Sequence, residues 1–307
     1  MVEQTQHRPA VSEHPEKKKR FQQWPTTDHE TAFGRPRDFL DNRFVYTVVS
    51  ARARGLSIGI NMNPDKWCNF GCPYCEVHRN ETARERCLDI EIMAAELKRT
   101  LAFVHGGRLR ERPWYHLLPD EMLRLRHVTL SGDGEPTFAP NFVEAVQTTI
   151  HVRAMGGFPF FKLVLITNAT GLDQPNVSPG LEYFHRSDEI WAKLDAGTQA
   201  YLNRVDKTDV LLEKILSNIL SLAKKRPVVI QSLFPSINGD EPPAEEIEQY
   251  ALRLKELKEQ GAEIPLVQIY SAARPSPDSN CGHLSLKTLS RIAQTVRQIA
   301  GLKAEVF

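Results

Sequence analysis

Three of the five cysteines fall within eight residues, in the stretch Trp67-Cys68-Asn69-Phe70-Gly71-Cys72-Pro73-Tyr74-Cys75-Glu76-Val77-His78-Arg79, and nothing else in the chain constrains its fold as tightly. They follow an apolar, glycine-containing run, Leu56 to Met62, that reads as a buried strand. A structural zinc site closes its tetrahedron with four protein ligands, usually two pairs tens of residues apart. Cys87 and Cys281 stand alone, so this C-x3-C-x2-C loop offers three ligands and leaves one coordination position open. Soft thiolates on a short loop suit an iron-sulfur cluster, and a cluster held by three cysteines has one iron free for an exogenous ligand. Two other readings stay open on the residues alone: a zinc-dependent RNA-binding module with His78 as fourth ligand, and a one-electron iron-sulfur carrier.

Beyond the loop, apolar runs alternate with amphipathic stretches, the pattern of βα units around a parallel sheet. Asp89 caps a helix whose apolar positions are Ile90, Met93, Leu97, Leu101 and Val104. His127 to Leu130, Phe161 to Ile166, Ile190 to Leu194, Val228 to Phe234 and Leu266 to Tyr270 read as five further strands. Asn141 to Ile150 forms a helix; Leu211, Ile215, Ile219 and Leu222 mark a second. A third, with Ile247, Tyr250, Leu254 and Leu257 inward, opens after Pro242-Pro243 and stops at Gly261. Ser285 caps the last, with Leu286, Leu289, Ile292, Val296 and Ile299 inward. Phe44 to Val49 is a short extra strand ahead of the first unit. The expected fold is therefore α/β, a partial (β/α)6 TIM-like barrel spanning 31–307, whose site lies at the C-terminal strand ends.

Residues past those strand ends are polar. After the second strand, Ser131-Gly132-Asp133-Gly134-Glu135-Pro136-Thr137 lets backbone approach a ligand and present its N–H and C=O groups. Asn168 follows the third strand. Lys193 and Asp195 share a face of the fourth. Gln231 on the fifth, with Gln268 and Tyr270 on the sixth, are further inward candidates, and Cys281 lies in the loop Pro275 to Gly282 beyond it.

The cysteine loop, with Tyr74 before its third cysteine, resembles that of the radical S-adenosylmethionine enzymes. The resemblance implies that Cys68, Cys72 and Cys75 hold a 4Fe-4S cluster, that the amine and carboxylate of S-adenosylmethionine chelate the fourth iron, and that Tyr74 borders the adenine. One electron would then split the sulfonium and release a 5'-deoxyadenosyl radical for hydrogen abstraction. Gly134 and Glu135 match the family's Gly-Gly-Glu motif, while Asp133 stands where the family has its first glycine; either Glu135 or the backbone from Gly132 to Gly134 meets the methionyl amine. By the same resemblance, polar strand-end residues contact the cofactor: Asn168 by its amide, Lys193 by pairing with the carboxylate, Asp195 by accepting from ribose hydroxyls, and Gln231 and Gln268 from inside the barrel. Cys281 is the candidate catalytic thiol. A flavodoxin- or ferredoxin-like electron donor is implied, and the substrate is a small molecule or RNA. The run Val267 to Pro275, with Ser131 to Thr137 and Gly59-Ile60-Asn61, is similar to the branch of wyosine-forming tRNA enzymes. Those enzymes carry a further cysteine set upstream, and here no cysteine precedes Cys68.

Composition bounds the rest. With 307 residues and 41% hydrophobic content the chain can bury a large core, and 39 basic against 38 acidic residues argue against wholesale nucleic-acid binding. Residues 1–30 are polar and proline-dotted and read as a disordered tail, with Lys17-Lys18-Lys19-Arg20 as a solvated basic arm. Arg35, Arg37, Arg43, Arg52 and Arg54 lead into the first strand, and their guanidiniums suit carboxylate or phosphate. No apolar run approaches membrane-helix length and no signal-peptide core opens the sequence, so a cytoplasmic protein without membrane contact is expected.

Overall fold

The computed structural model describes residues 39–79, 82–272, 274 and 278–307, so the expected tail at 1–30 lies outside the described residues. Two antiparallel strands begin the sheet: β1, Val45–Ser50, and β2, Gly55–Asn61, paired from Val45 opposite Ile60 to Ser50 opposite Gly55. The chain then alternates helix and strand. Helix α1 (Ile90–His105) and the single turn α2 (Asp120–Leu123) lead to β3 (Leu125–Ser131); α3 (Phe142–Ala154) leads to β4 (Lys162–Thr167); α4 (Val177–Glu182) leads to β5 (Glu189–Lys193). After α5 (Gln199–Val205) and α6 (Leu212–Ala223) come β6 (Val229–Leu233) and the short β7 (Ser236–Ile237). Helix α7 (Ala244–Glu259) precedes β8 (Val267–Tyr270); the two-residue β9 (Cys281–Gly282), α8 (Leu286–Ile299) and β10 (Ala304–Val306) complete the order.

The main sheet has eight strands in the order β1-β2-β3-β4-β5-β6-β8-β10, parallel from β2 onward, while β7 and β9 form a separate ribbon. The six expected parallel strands are present, and β10 adds a seventh against β8. A three-residue strand just after Gly301 is too short for alternation to reveal it. Two further positions differ from the periodic reading. Leu211 and Leu286 are exposed, because Leu211 is the N-cap of α6 and Leu286 is the first residue of α8, where the chain has not yet turned onto the sheet. Leu212, Ile215, Leu216 and Ile219 form the inner face of α6 instead.

Period-two alternation divides the strands into two environments. On β4, Leu163 and Leu165 pack outward beneath the helices in the principal core, whereas Val164 and Ile166 join Trp191 and Val229 in a small separate cluster inside the curl. The rest of the interior is polar: Ser57 bonds Thr129 at 2.8 Å, His127 sits edge-on to Trp191 at 5.3 Å, and Gln231 donates to Gln268 at 3.1 Å. Gly59 is required here, since a Cβ would lie 2.2 Å from the ring of Tyr46, which crosses β2 to bond Ser131 at 2.8 Å. The two sheet edges approach one another where Arg54, in the β1–β2 turn, pairs with Glu305 of β10 at 2.6 Å. Among the described residues no helix is long and apolar enough to cross a membrane.

Candidate functional site

The cysteine loop leaves the C-terminal end of β2 and is held on three sides. Buried Phe70 and Val77 anchor it below, and Gly71 N–H donates to the Asp206 carbonyl at 2.9 Å while Thr208 Oγ1 donates to the Asn69 carbonyl at 3.1 Å. Its two ends are braced reciprocally: Lys66 Nζ donates to the His78 carbonyl at 2.8 Å and Arg79 Nη1 to the Lys66 carbonyl at 2.6 Å. On the third side, Glu135 N–H donates to the Trp67 carbonyl at 3.1 Å, and Gly134 packs so closely that a Cβ would stand 1.7 Å from that oxygen. The glycine of the Ser131–Thr137 loop thus lets two strand-end loops touch.

Cys68, Cys72 and Cys75 are half-buried free thiols. Cys72 donates to Asp206 Oδ1 at 3.1 Å, and Asn168 Nδ2 approaches the Cys68 sulfur at 3.9 Å while donating to Asn69 Oδ1 at 2.8 Å. Arg79 Nη2 lies 3.9 Å from the Cys75 sulfur. Burial pushes the Cys68 and Cys72 thiols up, helped by Glu135 for the first and Asp206 for the second. Among the described residues no three His, Cys, Asp or Glu side chains are already gathered as a metal-holding group.

Behind the loop lies a buried ionisable cluster. The Tyr74 hydroxyl lies within hydrogen-bond distance of both Asp195 and Asp206 Oδ1, the latter at 2.6 Å, with a single proton to share between the two carboxyl groups. Asp195 Oδ1 accepts from Leu233 N–H at 2.8 Å, and its Oδ2 lies 2.9 Å from Lys193 Nζ. That ammonium is an ion contact without an aligned hydrogen bond, so its buried donors stay unsatisfied. Burial opposes the Lys193 charge, but Asp195, Tyr270 and Asp206 outweigh it and hold its pKa above the usual lysine range. Burial, and then the neighbouring Asp195, raise Asp206 to about 7.

The structure therefore brings Tyr74, Lys193, Asp195, Gln231 and Gln268 together inside the barrel mouth, with Asn168 against the cysteine loop. Glu135 does something different from a free ligand-facing carboxylate. It accepts from Thr137 N–H at 3.1 Å, Thr137 Oγ1 at 2.7 Å, Asn168 N–H at 2.7 Å and Thr167 Oγ1, tying the ends of β3 and β4 together. Asp133 is likewise engaged, accepting from Asn61 Nδ2 at 2.9 Å and donating its N–H to Asn61 Oδ1 at 3.0 Å. Gly132 packs on the same asparagine, where a Cβ would lie 2.2 Å from Oδ1. Cys281 is half-buried on the β7–β9 ribbon, opposite Ile237, and part of its loop lies outside the described residues. His78 and His283 are exposed. Sequence reasoning missed Asp206 and Arg79. Arg79 directly follows the loop and was available as a signal; Asp206, contacting Cys72 from 134 positions away, was not.

The curled parallel sheet, with the C-x3-C-x2-C loop at the end of its first parallel strand, shares its fold with solved structures. By structure, the chain resembles TYW1 solved with a lysine-pyruvate adduct bound, at TM-score 0.54 and 16% identity over 86% of each chain. It also resembles Streptococcus suis SuiB bound to S-adenosylmethionine, at TM-score 0.55 and 15% identity, covering 83% of this chain and 52% of that one. By sequence, it is 27% identical over 187 residues to a UPF0026 protein of Helicobacter pylori (strain J99), covering 59% of this chain and 52% of that protein. It is 31% identical over 180 residues to a UPF0026 protein of Synechocystis sp. (strain PCC 6803), covering 57% of each. The chain thus spans about half the length of the curated relatives it matches. No protein-family profile matches it.

Proposed function

We propose that the chain is a radical S-adenosylmethionine enzyme that holds a 4Fe-4S cluster on Cys68, Cys72 and Cys75 and uses it to abstract hydrogen from a substrate. The observation that carries this reading is the position of the three thiols: they share one loop at the C-terminal end of the first parallel strand, beside a buried polar mouth. The donor chemistry fits the cluster, since the loop brings three soft ligands with a guanidinium alongside. The cluster would supply one electron to the sulfonium, whose cleavage yields methionine and a 5'-deoxyadenosyl radical.

The chain's own residues do the binding and orienting. Lys193, whose donors lack an aligned acceptor, suits the carboxylate of S-adenosylmethionine. Asp195 and Tyr74 suit its ribose and adenine, and the backbone of Gly132 to Gly134 suits its amine. Glu135 and Asp133 act one step back, fixing the loops that present those groups. Gln231 and Gln268 line the route inward, and Cys281 is kept as the candidate catalytic thiol. A flavodoxin- or ferredoxin-like donor would supply the electron, in a cytoplasmic setting.

Wyosine-type base formation on tRNA is the second reading, favoured by the likeness to TYW1. A lysine-pyruvate adduct bound to that neighbour raises the question of an amine nucleophile here. Lys193 is held as an ammonium by Asp195, which disfavours it for that role.

Anaerobic reconstitution followed by electron paramagnetic resonance with and without S-adenosylmethionine tests the main reading. Wild type should be brown and its spectrum should change with the cofactor. Alanine at Cys68, Cys72 or Cys75 should abolish cluster assembly, whereas Cys87→Ala should retain it. Colourless protein with stoichiometric zinc would instead identify the RNA-binding module, and a cluster indifferent to the cofactor the electron carrier.

A further inference from the structure

The seam of the half-barrel carries a half-buried cation, Arg52, that no carboxylate among the described residues neutralises. Arg52, in the β1–β2 turn, reaches across the seam of the half-barrel and lays its guanidinium over the ring of Tyr270 at 4.0 Å from the centroid. Its Nε is buried and has no hydrogen-bond partner. Among the described residues the interior carboxylates are engaged elsewhere. Asp195 pairs with Lys193, Glu305 with Arg54 and Lys303, and Glu189 with Lys162. Glu135 accepts from four donors, and Asp206 Oδ1 is in contact with Tyr74 and Cys72. Cation–π contact with Tyr270 offsets part of the cost of desolvating a guanidinium, but it satisfies none of the five N–H donors. Lys193 stands 5.8 Å from the same ring, so two cations flank one tyrosine at the C-terminal end of β8.

We propose that Arg52 is the seat for an anionic group, a carboxylate or a phosphate, carried by the substrate, with Tyr270 holding the fork in place. Lys193 already has Asp195; Arg52 has no counterion among the described residues, so an incoming anion displaces none of them. The guanidinium enters from the turn that precedes β2, while the cysteine loop follows the other end of that strand, so we assign it to the substrate rather than to the cluster. That it serves the substrate rests on the radical-enzyme reading; that it binds an anion does not.

The test uses the full chain at low ionic strength, with inorganic phosphate and malonate as probes and chloride at equal ionic strength as control. Thermal melting is followed for wild type, Arg52→Gln, Arg52→Lys and, as an exposed-arginine control, Arg86→Gln. Wild type and Arg86→Gln should show a saturable rise in Tm with at least one probe, and the probe that saturates lower distinguishes phosphate from carboxylate. Arg52→Gln should weaken that binding at least about tenfold, and Arg52→Lys by less, because an ammonium keeps the charge but loses the fork. An Arg52→Gln response equal to wild type, or no response of wild type to either probe, overturns the proposal. In reconstituted protein, Arg52→Gln should keep the spectral response to S-adenosylmethionine; its loss would reassign the seat to the cofactor and also overturn it. A wild type without iron would sink the radical reading while leaving the melting result to stand on its own.

Discussion

Single residues set the geometry of this site more than any helix does. Gly134 is the sharpest case: Gly134→Ala must push the Trp67 carbonyl away, an overpacking that should cost about 1–3 kcal/mol and loosen the cysteine loop. Lower Tm together with reduced iron uptake on reconstitution would be the expected pair of results, and normal iron uptake would show that the loop tolerates the shift. Arg79 makes a different prediction, because charge beside cluster sulfurs sets reduction potential. Arg79→Gln should make the midpoint of the reconstituted protein more negative while Arg79→Lys stays near wild type; equal iron loss in both, with no change in potential, would mean the residue only braces Lys66. His127 reports on the interior. Burial, aided by Lys162, lowers it from the usual 6.5 to about 3, so the folded state binds fewer protons than the unfolded chain between those values. The stability it contributes is complete above pH 6.5 and is lost as pH falls toward 3, roughly 2–3 kcal/mol by pH 4.5. His127→Leu should flatten the fall in Tm between pH 7 and 4.5, and an unchanged slope would assign acid sensitivity to other groups.

At the scale of elements, the amphipathic helices and buried strands are those whose periodicity stands out in the sequence, and the contacts between them are not. Asp89 capping α1 through Ile92 N–H at 3.0 Å, and Ser285 capping α8 through Thr288 N–H at 3.1 Å, follow from residue type and position alone. So do the inner faces of α1 and α7. By contrast, Glu96 interrupts the apolar stripe of α1 as an ordinary acid, yet its carboxylate is buried and accepts from Arg43, Phe44 and Val45 N–H at 2.7, 2.9 and 3.1 Å. It fastens the start of edge strand β1 to α1. A pairing across about fifty residues has no periodic signature, which is also why Asp206 was missed and why Glu135, though placed near the site, was not given its partners. Removing the clamp with Glu96→Ala strands three N–H groups and should cost on the order of 3 kcal/mol, with Glu96→Gln intermediate because one acceptor oxygen remains. Denaturant midpoints check the order; equal stability of all three proteins would show that water replaces the carboxylate.

For the whole molecule, the question is what keeps a half-barrel from behaving as an open sheet with two sticky edges. One edge, β1, is covered by its clamp to α1. The other is β10, joined to β8 by the parallel register from Ala304 opposite Val267 to Val306 opposite Ile269, with Val267 N–H donating to the Lys303 carbonyl at 2.8 Å and Phe307 N–H to the Ile269 carbonyl at 2.9 Å. The ion pair of Arg54 with Glu305 spans the remaining gap, but with the arginine side chain 69% exposed it contributes little on its own. Backbone pairing, not charge, therefore closes this side. Ending the chain after Leu302 should strip β8 of its outer neighbour and expose an apolar edge strand that invites association. The expected result is a lower Tm and concentration-dependent oligomers on gel filtration, whereas Arg54→Ala should remain monodisperse with its Tm within about 1 kcal/mol equivalent of wild type. Because β8 also carries Gln268 and Tyr270, the shortened chain should lose the phosphate or malonate response attributed to Arg52 as well. If it stayed monodisperse and kept that response, β10 would be a surface strap, and the inner wall of the barrel mouth would be self-supporting from β2 to β8.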